Sequence, residues 1–208
     1  APVDGSQAPK SITEENLAWD TTPVFSPDGQ TLAYLAMERA GFEADRFKLI
    51  IRTWSNNQER ILTKNWDRSC GIIAWGPRNR TIYVTAANLG QTSLFSIDVN
   101  RGTVGTLVQD GRVTSIGFSG RDIIFGKCSL DSPVELYRID RRGRRTQKIT
   151  NINTEKLTAV KTGEFEQFTF RGWNDETVYA YIVKPVEYHR PTPRPPPARR
   201  FARWNGSF

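Results

Sequence analysis

The sequence predicts an all-β fold, an incomplete β-propeller of about three four-stranded blades preceded by the end of another. Three observations predict it. A short apolar signature returns every 42 to 50 residues. Each of the three units between these signatures opens on an apolar strand, an aromatic and a tight turn. Apolar and polar residues then alternate with the two-residue period of a strand, and no stretch of comparable length keeps a helical period.

The signature closes each unit: Ser11-Ile12-Thr13, Ile61-Leu62-Thr63, Thr106-Leu107-Val108 and Lys148-Ile149-Thr150. Ile12, Leu62, Leu107 and Ile149 are spaced by 50, 45 and 42 residues, which suits a propeller blade. The first strand of each unit is Pro23-Val24-Phe25, Ile72-Ile73-Ala74-Trp75 or Ser115-Ile116-Gly117-Phe118. A turn follows, clearest in Ser26-Pro27-Asp28-Gly29, where Pro presets φ and Gly accepts a positive one. Gly76-Pro77-Arg78-Asn79 and Ser119-Gly120-Arg121-Asp122 occupy the same place. Second strands are read at residues 31–35, 81–84 and 123–125, and third strands at 47–52, 93–98 and 135–140. Polar turns at 55–57, 100–102 and 141–145 then lead to the fourth. Three blades cannot close a ring of four to eight, so earlier blades are expected on the N-terminal side. In this frame Trp19, Trp66 and Trp75 read as blade packing.

Longer strings carry a resemblance. Gly41-Phe42-Glu43-Ala44-Asp45-Arg46, Trp66-Asp67-Arg68-Ser69 and Ser129-Leu130-Asp131-Ser132-Pro133 resemble the propeller of dipeptidyl and acylaminoacyl peptidases. These belong to the prolyl oligopeptidase family of serine peptidases. Residues 165–174, which include Trp173, and the run Val178-Tyr179-Ala180-Tyr181-Ile182-Val183-Lys184-Pro185 resemble that family's crossover from propeller to α/β-hydrolase domain. The resemblance implies a partial propeller over 1–160 and a crossover hairpin with the start of the hydrolase domain over 161–186. A Pro/Arg-rich tail over 187–208 follows.

An exopeptidase acting on short peptides, without metal or organic cofactor, is the implied activity. Its nucleophilic Ser sits in a G-x-S-x-G elbow, with Asp and then His following in the chain. This sequence holds no such elbow. Gly117-Phe118-Ser119-Gly120 has the wrong spacing, and His189 is the only imidazole. No catalytic residue is assigned, and the chain alone is expected to be inactive, the propeller serving to gate and position substrate. The alternative is a standalone propeller binding module of the TolB or WD type.

In this family the propeller supplies charged side chains that read the peptide terminus. A carboxylate there would pair with the α-ammonium and set its distance to the scissile bond. Glu43, Asp45 and Arg46 lie in the long connection after the first blade's second strand. Asp67 and Arg68 follow the end of that blade, and Asp131 sits in the third blade's corresponding connection. These six are the candidate substrate-binding residues; the competing reading is hairpin and inter-blade salt bridges.

The net charge of +7 invites a nucleic-acid reading, but the arginines fall in a hairpin tip at 141–145 and in the tail, beside no stacking motif. No nucleic-acid partner is expected. Nor is a membrane, since no apolar run reaches the roughly 18 residues a crossing needs. Cys70 and Cys128 are too far apart in sequence for a metal knuckle or a redox pair and read as buried thiols, a disulfide being the other option. The N-terminus reads as the interior of a longer protein, exported or cytoplasmic. The tail after Val186 reads either as an extended Pro-Arg arm or as a disrupted reading frame, because Pro cannot sit within a sheet. Expected partners are the absent blades, the hydrolase domain and short peptide substrates. Uncovered blade faces predict poor solubility or association.

Overall fold

The computed structural model describes residues 4–186. The tail at 187–208, with His189, lies outside the described residues. The chain divides into two compact units, Ala1–Val160 and Lys161–Phe208.

The first unit holds three antiparallel meanders. Blade 1 is β1 (Asp20–Phe25), β2 (Thr31–Ala36), β3 (Lys48–Thr53) and β4 (Glu59–Ile61). Blade 2 is β5 (Cys70–Trp75), β6 (Thr81–Asn88), β7 (Gln91–Asp98) and β8 (Val104–Val108). Blade 3 is β9 (Arg112–Ser119), β10 (Asp122–Ser129), β11 (Ser132–Asp140) and β12 (Gln147–Lys148). Blades 2 and 3 also meet along a single parallel bridge, Thr92 opposite Arg112. A short helix, α1 (Thr154–Thr158), follows the third blade. This is an incomplete β-propeller, as the repeat predicts.

The strands run further than alternation alone marks them. β6 and β7 continue through polar residues to a two-residue turn, where Leu89 and Gly90 both take positive φ. That mirror-type turn matches the strand twist, so the ladder persists where hydrophobicity has stopped. The first turn of blade 1 is self-satisfying: Ser26 Oγ donates to Asp28 (2.6 Å), and Thr31 N–H donates back to Ser26 Oγ (3.0 Å).

The second strand of blade 1 is buried on both faces: Ala33 and Leu35 pack into the core shared with blade 2, and Leu32, Tyr34 and Ala36 cluster on the other face. One core lies between blades 1 and 2, where Leu35, Leu49 and Leu62 meet Trp75, Val84 and Phe95. A second lies between blades 2 and 3, where Tyr83 and Leu94 meet Val113, Ile123 and Phe125. Each fully buried Leu, Ile or Phe contributes about 1.5–3 kcal/mol. Trp75 and Trp66 are core residues, Trp66 edge-on to Phe95 at 4.9 Å. Trp19 is more exposed and meets Phe47 edge-on at 5.4 Å. Cys70 is buried and Cys128 only half-buried, and both are free thiols. Burial pushes the Cys70 thiol up to about 12, which makes it inert as a nucleophile.

The second unit contains one hairpin, β13 (Phe165–Arg171) and β14 (Thr177–Val183), paired in unbroken register. A 3-10 turn at Trp173–Asp175 joins them, with Trp173 largely exposed. Phe168, Phe170, Val178, Ala180 and Ile182 share one face of the hairpin. No described helix is long and apolar enough to cross a membrane.

Candidate functional site at one end of the blades

In an antiparallel meander successive connections alternate between the two ends of the sheet. The loops joining second to third strands therefore share an end with the loops joining one blade to the next. All six candidate residues lie in such loops. Glu43, Asp45 and Arg46 lie between β2 and β3, Asp67 and Arg68 between β4 and β5, and Asp131 between β10 and β11. Hydrogen bonds tie these loops together. Arg46 Nη2 donates to the Lys64 carbonyl (3.2 Å), Phe47 N–H to Ser69 Oγ (3.0 Å), and Arg68 Nη2 to Asn88 Oδ1 (2.9 Å).

Within this end the carboxylates differ in what remains free. Asp45 is spent on its own loop: its side chain accepts the Glu38 and Arg39 backbone N–H groups, each at 2.8 Å, and both Nε and Nη2 of Arg39. Those backbone N–H bonds hold its carboxyl far below the usual carboxylate range. The Arg39 guanidinium also lies 4.0 Å from the centre of the Phe42 ring, which stiffens the loop. Asp67 pairs with Arg68 at 2.9 Å and is otherwise exposed. Asp131 accepts from Ser129 Oγ at 2.6 Å within its own turn. Glu43 projects from the tip of the loop that Asp45 organises, is exposed, and makes no side-chain bond among the described residues.

Nothing in the repeat singles out Glu135, the one fully buried acid at this end. Its carboxylate accepts from the Thr150 hydroxyl, from the backbone N–H groups of Ile152 (3.2 Å) and Asn153 (3.0 Å), and from Asn153 Nδ2 (3.2 Å). Lys148 Nζ stands 3.9 Å away. The Thr150 and backbone bonds lower its carboxyl to about 2. It is a fastener for the chain leaving blade 3. Polar–apolar alternation cannot reveal it, because its partners are backbone groups of a turn. Among the described residues no group of three His, Cys, Asp or Glu side chains could hold a metal.

No family model matches the chain. It is 26% identical over 182 residues to dipeptidyl-peptidase 5 of Porphyromonas gingivalis, covering 86% of this chain and 26% of that protein. It is 30% identical over 205 residues to dipeptidyl-peptidase 5 of Arthroderma otae, covering 91% and 28%. The chain thus spans about a quarter of the length of these relatives. The fold superposes on Pyrococcus horikoshii acylaminoacyl peptidase with a TM-score of 0.65 at 19% identity, over 79% of this chain and 25% of that one. The chain is therefore similar to part of dipeptidyl peptidases of the prolyl oligopeptidase family, and its fold is that of the propeller part of an acylaminoacyl peptidase.

Proposed function

We propose that the chain is the substrate-positioning propeller portion of a serine exopeptidase, and that the end carrying Glu43 faces the peptide. The observation that carries this reading is the state of Glu43. It is the carboxylate that an internally bonded loop holds out into solvent without a side-chain bond among the described residues. An α-ammonium is the complementary group, and a loop stiffened by Asp45 loses little freedom on receiving it. Arg46, Arg68, Asp67 and Asp131 shape the surrounding end. The exposed apolar face of the β13–β14 hairpin supports a further part of this reading, that it begins a sheet continued by a hydrolase domain. The likeness to dipeptidyl peptidases over nine-tenths of the chain favours this over a standalone binding module.

The 208-residue chain has no nucleophile elbow, so it should not turn over dipeptidyl or acylaminoacyl fluorogenic substrates. Turnover abolished by a serine-directed phosphonate would defeat that part. For the binding role, calorimetric titration should show a free-amino tripeptide binding two- to fivefold tighter than its N-acetyl form. That ratio corresponds to about 0.5–1 kcal/mol for an exposed pair. Glu43→Gln should erase the preference. Equal binding of both peptides to the unaltered chain would remove Glu43 from the role.

A further inference from the structure

The loop that presents Glu43 presents an aromatic ring next to it. Residues 37–47 carry the chain from β2 to β3 through two successive turns. Phe42 N–H donates to the Arg39 carbonyl (3.3 Å), and Asp45 N–H donates to the Phe42 carbonyl (3.0 Å). Phe42 is thus the joint of the loop, with both its backbone groups bonded, and Glu43 is the next residue. In blades 2 and 3 the equivalent connections are the two-residue hairpins Leu89-Gly90 and Leu130-Asp131. Of the three blades, only the first has enough chain here to build such a tip.

The ring is held from one side. The Arg39 guanidinium lies 4.0 Å from its centre, and Asp45 holds that guanidinium through Nε (3.2 Å) and Nη2 (3.1 Å). Phe42 nevertheless keeps 44% exposure. A cation on one face draws on the negative potential of the ring. The other face is therefore a poor seat for a second cation and is left suited to apolar contact. The remaining charges at the loop's base are spent on each other, Glu38 on Lys48 and Arg39 on Asp45. The tip accordingly offers two different groups side by side, a carboxylate and an apolar ring face.

A peptide's first residue offers the complementary pair. Its α-ammonium and its side chain leave the same Cα, while Phe42 and Glu43 are neighbours whose Cα atoms stand about 3.8 Å apart. One terminal residue can place its ammonium at Glu43 and its side chain against Phe42. We propose that the bare face of Phe42 is a subsite for the side chain of that first residue, selecting free-amino peptides that begin with an aromatic or a large aliphatic residue. This rests on the reading of Glu43 as the partner of the α-ammonium and adds to it a choice of side chain.

Calorimetric titration of the 208-residue chain with Phe-Gly-Gly and Gly-Gly-Gly, each free and N-acetylated, separates the two readings. Phe-Gly-Gly should bind about three- to tenfold tighter than Gly-Gly-Gly, the range expected for one aromatic contact. Phe42→Ala alters an exposed side chain and should leave the far-ultraviolet circular dichroism unchanged. It should bind the two peptides equally while the free-amino preference stays, and Phe42→Tyr should keep both preferences. Glu43→Gln should do the converse of Phe42→Ala, losing the free-amino preference and keeping that for Phe. Equal affinity of the two free peptides for the unaltered chain, with the free-amino preference present, would overturn the Phe42 subsite alone and assign the ring face to protein packing. A preference for Phe that survives Phe42→Ala would overturn it as well. Absence of binding by all four peptides would overturn it together with the reading of Glu43.

Discussion

The Glu135 carboxylate has almost no exposed surface, yet it stays ionised because a turn of backbone N–H groups and the Thr150 hydroxyl converge on it. Its ionisation is tied to folding. The folded group titrates near 2 against an ordinary value of 4.5. Its stabilising effect is therefore present above about 4.5 and is lost as pH falls from there towards 2. Glu135→Gln should melt at lower temperature than the unaltered chain at pH 7, and the gap should close as melts are repeated down to pH 2. A gap that persists unchanged at pH 2 would show that packing, not charge, is at stake. Thr63 has the parallel role in blade 1, where its buried hydroxyl accepts the Leu49 N–H at 2.8 Å, as Thr150 accepts the Leu136 N–H at 2.8 Å. The threonine that recurs in the closing signature is thus a terminator: its side chain replaces the next rung of the ladder. Thr63→Val leaves a buried N–H unpaired and should cost about 1–3 kcal/mol by urea denaturation, with Thr63→Ser close to neutral. The recurrence of Thr is visible in the sequence; its purpose is not, because the partner lies on another strand.

Among the elements, the turns divide into those that satisfy themselves and those that serve a neighbouring blade. Gly29 and Gly102 have φ of +71° and +68°, so an added Cβ strains both by about 1–2 kcal/mol. Around Gly29 nothing lies within 4 Å, whereas at Gly102 the Cβ would stand 2.9 Å from the Leu62 carbonyl oxygen. Gly102→Ala should therefore lower the urea midpoint distinctly more than Gly29→Ala; equal losses would mean that the inter-blade contact yields freely. Local chemistry makes Ser26-Pro27-Asp28-Gly29 readable as a turn. The Leu89-Gly90 and Leu130-Asp131 hairpins are harder to read, since they sit in runs whose polar residues mimic the end of a strand. There the ladder extends because backbone pairing continues past the last core-facing side chain. The candidate site was legible to the same degree. The connections bearing Glu43, Asp45, Arg46, Asp67, Arg68 and Asp131 follow from counting strands, and their common end follows from the meander. Which carboxylate is left free depends on bonds between residues six and seven apart in a loop of no regular period.

For the whole molecule the unit of stability is the pair of blades, since each core is shared across two sheets. Leu94→Ala, at a site opposite Thr85 sealed by blade 3, should cost about 2–5 kcal/mol in urea denaturation, and Leu136→Ala, at the corresponding site opposite Gly126 that is 40% exposed, far less. Similar losses at both sites would contradict the open face. The sequence by itself determined the all-β class, the number of blades, the order of strands and the family resemblance, because these rest on periodicity and recurring strings within one stretch of chain. Tertiary structure alone decided that Asp45 is bound and Glu43 without a side-chain bond among the described residues, that Glu135 fastens the last blade, and that Leu94, opposite Thr85, is sealed where Leu136, opposite Gly126, is 40% exposed. Each of those outcomes depends on groups brought together across strands and blades, and a one-dimensional pattern records what repeats along the chain but not what stands beside it.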